Sequence, residues 1–286
     1  MFSILYIMFD THCHLNFKRY KKNLDEVISH AFEAGISHIV IPGTDVKQSQ
    51  KAVEVAQKHD QFYAAVGIHP HHAIKYLSSS KEQILKLVQD DIEIIESLLS
   101  HPKVVAIGEV GMDKHGYENT KYSEYAVDER FIETQRELFR EHIKLAIKHN
   151  KSLILHNREA TDELVSILNH SWDAKLEHRT VLHCCEADER LLAIAKDHTM
   201  FIGVDGDVTF DVSKQEFIKK VPIDMLVLET DSPFILPEPL LSQKKYPNEP
   251  AYLTYIAQSV AHIKGLTVEE VTHITTENGK RLFQIE

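Results

Sequence analysis

The sequence predicts an α/β fold, a (β/α)8 TIM barrel that forms a single domain over residues 1–286. Eight short apolar runs alternate with segments in which apolar residues recur at helical spacing. Short continuous apolar runs are typical of strands that are buried on both faces of a parallel sheet. Alternating strands and helices build right-handed βαβ units, and eight units in 286 residues match a closed barrel. A doubly wound sheet would need a glycine-rich phosphate turn after the first strand, which this sequence lacks.

The predicted strands follow the apolar runs in chain order. They cover residues 5–9, 38–41, 62–68, 104–107, 153–155, 180–182, 200–202 and 225–228. Six of the eight runs lead into a histidine or a carboxylate, whereas the second leads into Pro-Gly-Thr and the seventh into Gly203. The polar groups after the six runs are His12 with His14, His69, Glu109, His156, His183 and Asp231.

The predicted helices follow from apolar residues spaced three and four apart, which form one buried face. They cover residues 23–34, 84–99, 129–147, 161–168, 188–196, 215–220, 251–263 and 268–282. In the first of them, Leu24, Val27, Ile28 and Ala31 form the apolar face, and Gly35 follows as a stop signal. Residues 78–80 and 114–125 are predicted loops within the same domain.

The composition indicates a soluble cytoplasmic protein. Hydrophobic residues make up 43% and charged residues 26% of the chain, as in ordinary globular proteins. The opening apolar run is too short to span a membrane and has no basic flank, which argues against a signal peptide. Three cysteines form no even disulfide framework, which favours a reducing compartment. The net charge of -11 argues against a broad surface for duplex nucleic acid.

The polar groups at the strand ends predict a metal centre, because barrel enzymes place their active sites at this end. His12 and His14 point to the same side of a strand, since successive side chains alternate. Nitrogen and oxygen donors of this kind suit Zn, Mn, Mg, Ni or Fe. The strand-end set contains no serine or cysteine paired with a base. Most of the 19 histidines are expected to be surface residues without a role.

Two carboxylates give the predicted centre its chemistry. In two-metal hydrolases of this fold an anionic group must bridge the ions, and the fourth strand offers Glu109 where other sites use a modified lysine. Asp231 can bind a metal and accept the proton of the attacking water. The alternatives are that Glu109 forms a structural cap or ion pair and that Asp231 belongs to a turn before Pro233.

Six motifs follow one another along the chain. They are Asp10-Thr-His-Cys-His, Gly67-Ile-His-Pro, Gly108-Glu-Val-Gly-Met-Asp, Leu155-His-Asn-Arg, Leu182-His-Cys and Glu229-Thr-Asp-Ser-Pro. This ordered series resembles the TatD family of metal-dependent deoxyribonucleases. Further matches are Gln135-x-x-x-Phe139, Asn248-Glu-Pro and Asn278-x-x-x-Leu282-Phe, so the resemblance covers nearly the whole chain. It implies a barrel hydrolase with two divalent metal ions and mostly 3′-to-5′ exonuclease activity.

The resemblance also implies roles for individual residues. His12, His14 and Asp231 would hold one metal, His156 and His183 the other, and Glu109 would bridge them. His69 would lie near the substrate phosphate, unless it is a core histidine. Arg158 would donate to a phosphate oxygen, unless it forms a plain ion pair.

The sequence departs from the family pattern at three places. After His183-Cys184 the family usually has an aromatic residue and a Gly-Ser turn, where this chain reads Cys185-Glu-Ala-Asp. Before Asn248 the family often carries Arg-Gly-Lys, where Lys244 and Lys245 keep the positive charge without a guanidinium fork. A helix position that is usually glutamine is His142.

We therefore expect a metal-dependent phosphodiesterase that acts on DNA, mainly at single-stranded ends, with no membrane or obligate protein partner. Two alternatives remain open. One is hydrolysis of C–N bonds by an amidohydrolase-type enzyme, or deacylation of D-aminoacyl-tRNA, and the missing strand-end lysine counts against the former. The other is a metal-stabilised scaffold protein that docks through the helix at residues 129–147. RNA is a further possible substrate.

Overall fold

The computed structural model describes residues 6–77, 81–118, 120 and 125–286, and for residues 81–85 it describes only the helical backbone. The start of the first predicted strand, the predicted loop at residues 78–80 and positions 119 and 121–124 of the predicted loop 114–125 lie outside the described residues.

Eight parallel strands form one sheet in chain order within this part of the chain. Their bounds are β1 Met8–Asp10, β2 Ile36–Pro42, β3 Phe62–Val66, β4 Val104–Asp113, β5 Ser152–Arg158, β6 Thr180–Leu182, β7 Phe201–Val204 and β8 Leu226–Leu228. The sheet curves until its first and last strands meet, where Thr11 N donates to Leu228 O at 3.0 Å and Cys13 bridges Ser232. The nearly closed sheet confirms the predicted barrel.

Nine α-helices accompany the strands in the described ranges, and eight of them correspond to predicted helices. Helix α2 was not predicted, because its buried face is built mostly from small residues, Ser49, Ala52 and Ala56. The Asp45 side chain caps it by accepting from Gln48 N. Within the described residues, no helix is both long enough and apolar enough to cross a membrane. The bounds are α1 Leu24–Glu33, α2 Val46–Ala56, α3 Lys81–Leu98, α4 Glu129–His149, α5 Thr161–Ser171, α6 Glu189–Asp197, α7 Val212–Lys220, α8 Leu253–Lys264 and α9 Val268–Phe283.

The core has an outer layer between strands and helices and an inner layer inside the barrel. The inner layer takes one residue from each strand, and Leu282 and Phe283 of α9 join it. The strand residues are Phe9, Val40, Ala65, Ala106, Ile154, Val181, Phe201 and Val227.

Helix α9 closes the end of the barrel at which the strands begin. The Phe283 ring lies 5.8 Å from that of Phe9, and Ser152 Oγ donates to Leu282 O at 2.6 Å. Gly279 gives α9 its close approach, since a side-chain methyl there would lie 2.7 Å from the Phe9 ring. The opposite end, where the strands finish, is left for the polar groups.

Candidate metal centre

His12 and His14 follow β1 directly and turn their imidazoles into the open end of the barrel. Their Nε2 atoms are 3.2 Å apart, and both residues are buried. The period-two alternation of an extended chain places both rings on one side. The structure therefore brings together the pair that the sequence analysis singled out.

Asp231 joins this pair through the seam between β8 and β1. Asp231 N donates to His12 O at 2.9 Å, and His14 N donates to Ser232 O at 2.8 Å, which fixes the two segments in register. Asp231 Oδ1 lies 3.3 Å from His14 Nε2 and 3.7 Å from His12 Nε2. Asp231 has a φ of 48°, a left-handed conformation that aspartate and asparagine adopt more readily than most residues.

Glu109 occupies the middle of the cluster, and its two oxygens face different histidines. Oε2 lies 3.6 Å from His12 Nε2 and 3.7 Å from His14 Nε2. Oε1 lies 2.8 Å from His156 Nδ1 and 3.8 Å from His183 Nε2. His69 Nε2 also lies 3.4 Å from Oε1, so a single buried carboxylate faces histidines that come from four different strand ends.

The electrostatics of the cluster follow from burial and close opposite charges. Burial alone would raise the pKa of Glu109, but His69, His12 and His156 together hold that pKa well below its usual value. Burial and the neighbouring His183 lower the pKa of His12.

His156 and His183 each face more than one carboxylate, and their pKa values are raised instead of lowered. Burial would lower the pKa of His156, but Asp113 and Glu109 raise it to about 9. Burial would likewise lower the pKa of His183, and Glu229 with Glu109 and Asp231 raises it to about 10. A metal ion that binds these imidazoles must displace a proton, so binding weakens as the pH falls.

Three further carboxylates, Asp113, Asp10 and Glu229, position the cluster, and none of them was among the predicted site residues. Asp113 Oδ2 lies 3.1 Å from His156 Nε2 and accepts from Tyr117 OH at 2.7 Å. Asp10 accepts from the backbone and hydroxyl of Thr230, next to Asp231, and burial raises the pKa of Asp10 to about 8. The sequence did carry one signal for these three residues, since each belongs to one of the family motifs.

Glu229 is the third of these carboxylates, and it fixes His183. Its Oε1 lies 2.9 Å from His183 Nδ1 and accepts from Cys184 N at 2.6 Å. Gly203, the residue after the seventh apolar run, makes room for it. A side-chain methyl at Gly203 would lie 2.3 Å from Glu229 Oε1.

The hydrogen bonds of His69 direct its Nε2–H group toward the cluster. His71 N donates to His69 Nδ1 at 3.0 Å, so a neutral His69 carries its proton on Nε2. That Nε2 lies 3.4 Å from Glu109 Oε1, and burial lowers the pKa of His69. An N–H at this position suits a phosphate oxygen better than it suits a cation.

The donor set fits divalent cations. Metal–nitrogen and metal–oxygen bonds of about 2.0–2.2 Å place neighbouring donor atoms roughly 3.0–3.5 Å apart. The separations of 3.2 and 3.3 Å around His14 Nε2 match this range. Among the described residues, this cluster contains three groups whose donor atoms lie within 4.8 Å of one another: His12, His14 and Glu109; His12, His183 and Asp231; and His69, Glu109 and His156.

The predicted phosphate-binding cations lie at different distances from this cluster. Arg158, at the end of β5, is exposed, and its guanidinium lies 5.2 Å from the centre of the Tyr117 ring. Since Tyr117 also bonds Asp113, Arg158 is linked to His156 through two residues. Lys244 and Lys245 are exposed in the loop after β8, and no described contact joins them to the cluster.

The acidic side chains of the atypical segment after Cys184 accept hydrogen bonds from other residues of the protein. Glu186 accepts from Asn157 Nδ2 and from Glu159 N, and Asp188 caps α6 by accepting from Arg190 N.

Lys214 is buried behind this segment, where it donates to Cys185 O and lies 3.1 Å from Asp207 Oδ2. The thiol of Cys184 and the carboxylates of Asp205 and Asp207 also converge there. Lys214 supplies the positive charge, so we assign no metal ion to this group.

Comparisons with known proteins agree with the fold and with a metal-dependent hydrolase. A family model described as "TatD related DNase" matches residues 9–284. A Bacillus subtilis protein named as the uncharacterized metal-dependent hydrolase YabD is 36% identical over 281 residues, covering 98% of this chain and all of the relative. The Escherichia coli 3′-5′ ssDNA/RNA exonuclease TatD is 29% identical over 282 residues, with 97% and 99% covered. The crystal structure of the E. coli TatD homolog YjjV superposes with a TM-score of 0.81 at 25% identity, over 98% of both chains.

Proposed function

Because the chain belongs to the TatD-related DNase family and is a metal-dependent hydrolase, we propose that it removes nucleotides from the 3′ ends of single-stranded DNA with two divalent metal ions. The whole chain, residues 1–286, would form one hydrolase unit. The nuclease names among its relatives support nucleic acid as the substrate.

The observation that carries this proposal is the division of Glu109 between two sets of histidines. One oxygen faces His12 and His14, and the other faces His156 and His183. A buried carboxylate that offers one oxygen to each of two metal sites offsets the repulsion between the ions. A single-metal site would not need donors on both sides of Glu109.

We assign His12, His14 and Asp231 to one ion, His156 and His183 to the other, and Glu109 to both. Bound ions of this kind stabilise the charge on the scissile phosphate and lower the pKa of the attacking water. Asp231 Oδ1 faces into the cluster, and its side chain is 13% exposed, so it is open to a water molecule from the barrel mouth. Asp231 accepts the proton of the attacking water as general base.

His69 and Arg158 serve the phosphate. His69 directs an N–H toward the cluster, because its other nitrogen accepts from His71 N. Arg158 carries a positive charge on the same rim and is oriented by Tyr117. Both donate to non-bridging oxygens and hold the phosphate while Asp231 acts.

Single-stranded ends suit the charge of the protein. With a net charge of -11, the protein cannot neutralise a long stretch of backbone. The attraction comes from the ions and a few groups, among which we include Arg158, Lys244 and Lys245. Such a short positive footprint admits a free end that enters the barrel mouth.

The test compares linear and circular single-stranded DNA of the same sequence, with magnesium or manganese and with a chelator. We expect linear DNA to be digested from its 3′ end in the presence of metal and circular DNA to remain intact. Asp231→Asn serves as the inactive control. Rapid cleavage of circles would overturn the exonuclease proposal. Turnover of simple amides or D-aminoacyl-tRNA with no cleavage of DNA would assign the centre to a different reaction.

A further inference from the structure

Two phenylalanine rings meet beside the metal-site histidine His14. The Phe17 ring stacks on the His14 imidazole, with centroids 4.3 Å apart and planes 23° apart. The Phe234 ring lies 6.0 Å from both Phe17 and His14, at 78° and 74° to their planes. Phe17 and Phe234 thus form two sides of a right angle, which we call the aromatic corner.

Both rings are held in place by backbone turns that start at a metal-site residue. Phe17 N donates to His14 O at 3.1 Å, and Phe234 N donates to Asp231 O at 2.9 Å. Each ring therefore stands three residues after a donor of the cluster, in a turn closed by a hydrogen bond. The position of the aromatic corner relative to the donors is set by the fold.

Both rings of the aromatic corner are exposed to solvent, at least in part. Phe234 is 49% exposed, and Phe17 is partly exposed. Neither ring is needed to fill the inner or the outer core, since neither belongs to the buried clusters of the described residues. A large apolar side chain at the rim of a catalytic centre indicates contact with a ligand.

We propose that the aromatic corner binds a nucleobase next to the scissile phosphate, by stacking on one ring and meeting the edge of the other. This inference rests on the proposed function, because it names how that substrate is held. A phosphate at the cluster leaves the base of its own nucleotide within reach of two rings whose centroids lie 4.3 and 6.0 Å from that of His14. Every base has a flat π-face, so the contact requires a base but not a particular one.

The aromatic corner also explains how a protein with few phosphate contacts holds its substrate. Stacking adds affinity that salt does not screen, whereas each phosphate contact weakens as salt rises. The aromatic corner therefore complements the short positive footprint formed by Arg158 and the lysines.

The experiment measures the affinity of the metal-loaded enzyme for short linear oligothymidylates whose last linkage is a phosphorothioate, which resists cleavage. One oligonucleotide is intact, one lacks the last base, one lacks the base before it, and one lacks a base far from the 3′ end. We expect the wild type to bind one of the two end-modified oligonucleotides about 5- to 150-fold more weakly than the intact one. The internally modified oligonucleotide should bind normally.

Phe234→Leu keeps the apolar bulk and removes the π-face, so it should bind intact DNA as weakly as the wild type binds the abasic form. Phe234→Trp keeps a ring and should retain the discrimination, which separates stacking from a folding defect. Phe32→Leu is the matched control, because Phe32 lies on α1 and packs against Phe62, away from the metal centre.

A wild type that binds intact and end-modified DNA equally overturns the stacking site, whether or not it digests DNA. Equal losses for all oligonucleotides in Phe234→Leu would also overturn it. A wild type that discriminates but does not digest DNA overturns the proposed function and leaves the stacking site supported.

Discussion

His183 Nδ1 and Glu229 Oε1 are 2.9 Å apart, in side chains that are 3% and 1% exposed. The contact holds Nδ1–H on the carboxylate and turns Nε2, the nitrogen left to bind a metal, toward Glu109 and Asp231. Glu229 therefore orients a proposed metal ligand without touching the metal itself.

Changing Glu229 to Gln should weaken metal binding about 10- to 100-fold, the usual cost of losing the partner of a metal-binding histidine. A glutamine can still contact Nδ1, but without the negative charge it no longer raises the basicity of Nε2 toward a metal ion. Metal titration by calorimetry measures the effect. Glu216→Gln, at an exposed position of α7, is the control and should bind metal normally. Unchanged affinity in the Glu229 variant would reduce Glu229 to a packing residue.

The Glu109→Gln variant tests the bridge. It keeps the shape of the side chain and removes the charge that would offset the repulsion between two ions. We expect both metal occupancy and hydrolysis to collapse. Elemental analysis of protein purified without chelator gives the occupancy. Two bound metals with near-normal turnover would show that the site assignment is wrong.

Asp231→Asn should lower the rate of hydrolysis by at least about 100-fold, the lower end of general acid–base contributions. Asparagine can still coordinate weakly but cannot accept a proton. It also tolerates the left-handed φ of 48°, so the thermal melt should change little. Intact activity with an unchanged melt would make Asp231 a turn residue.

His142 should make the protein sensitive to mild acid. Burial lowers the pKa of His142 to about 4, against 6.5 for the free side chain. Between these values the unfolded chain binds more protons, so the free energy of unfolding falls as pH drops from about 6.5 to about 4. The total loss is about 3 kcal/mol, at 1.36 kcal/mol per pKa unit.

A glutamine at position 142 should remove this dependence. His142 accepts from Ile68 N at 3.2 Å and contacts Leu138 O at 2.6 Å, and a side-chain amide can serve both groups without titrating. The measurement is the difference between wild type and His142→Gln in denaturant unfolding across pH 4–7. That difference isolates His142 from other groups that titrate in the same range. Parallel pH profiles would contradict the assignment.

Binding to single-stranded DNA should depend only gently on salt. Each phosphate contact contributes about -0.7 to the slope of log affinity against log salt concentration, and we expect only a few contacts. The phosphorothioate oligonucleotide measured across a salt series gives the slope. A slope as steep as about -6 would reveal a long basic track along the surface.

The barrel could be predicted from sequence because the strands are short apolar runs, and the residues of the cluster because six of the eight runs lead into a histidine or a carboxylate. Helix α2 was missed because a helix that packs through alanine and serine leaves a weak apolar pattern. Glu229 and Asp113 belong to the family motifs, but their contacts with His183 and His156 could not be predicted from sequence, since they join different strands. The same holds for the protonation of His69, which a backbone N–H of the following turn determines.

The seam between β1 and β8 also sets when the centre can exist. Cys13 and Ser232, whose side chains meet at 3.0 Å across this seam, are 219 positions apart in the chain. During translation the first strand leaves the ribosome long before its partner, so His12 and His14 are synthesised well before Asp231. Contacts so distant in sequence form late in folding. A nascent or truncated chain would therefore lack Asp231, the proposed general base, and would carry only part of the proposed metal site until the barrel has closed.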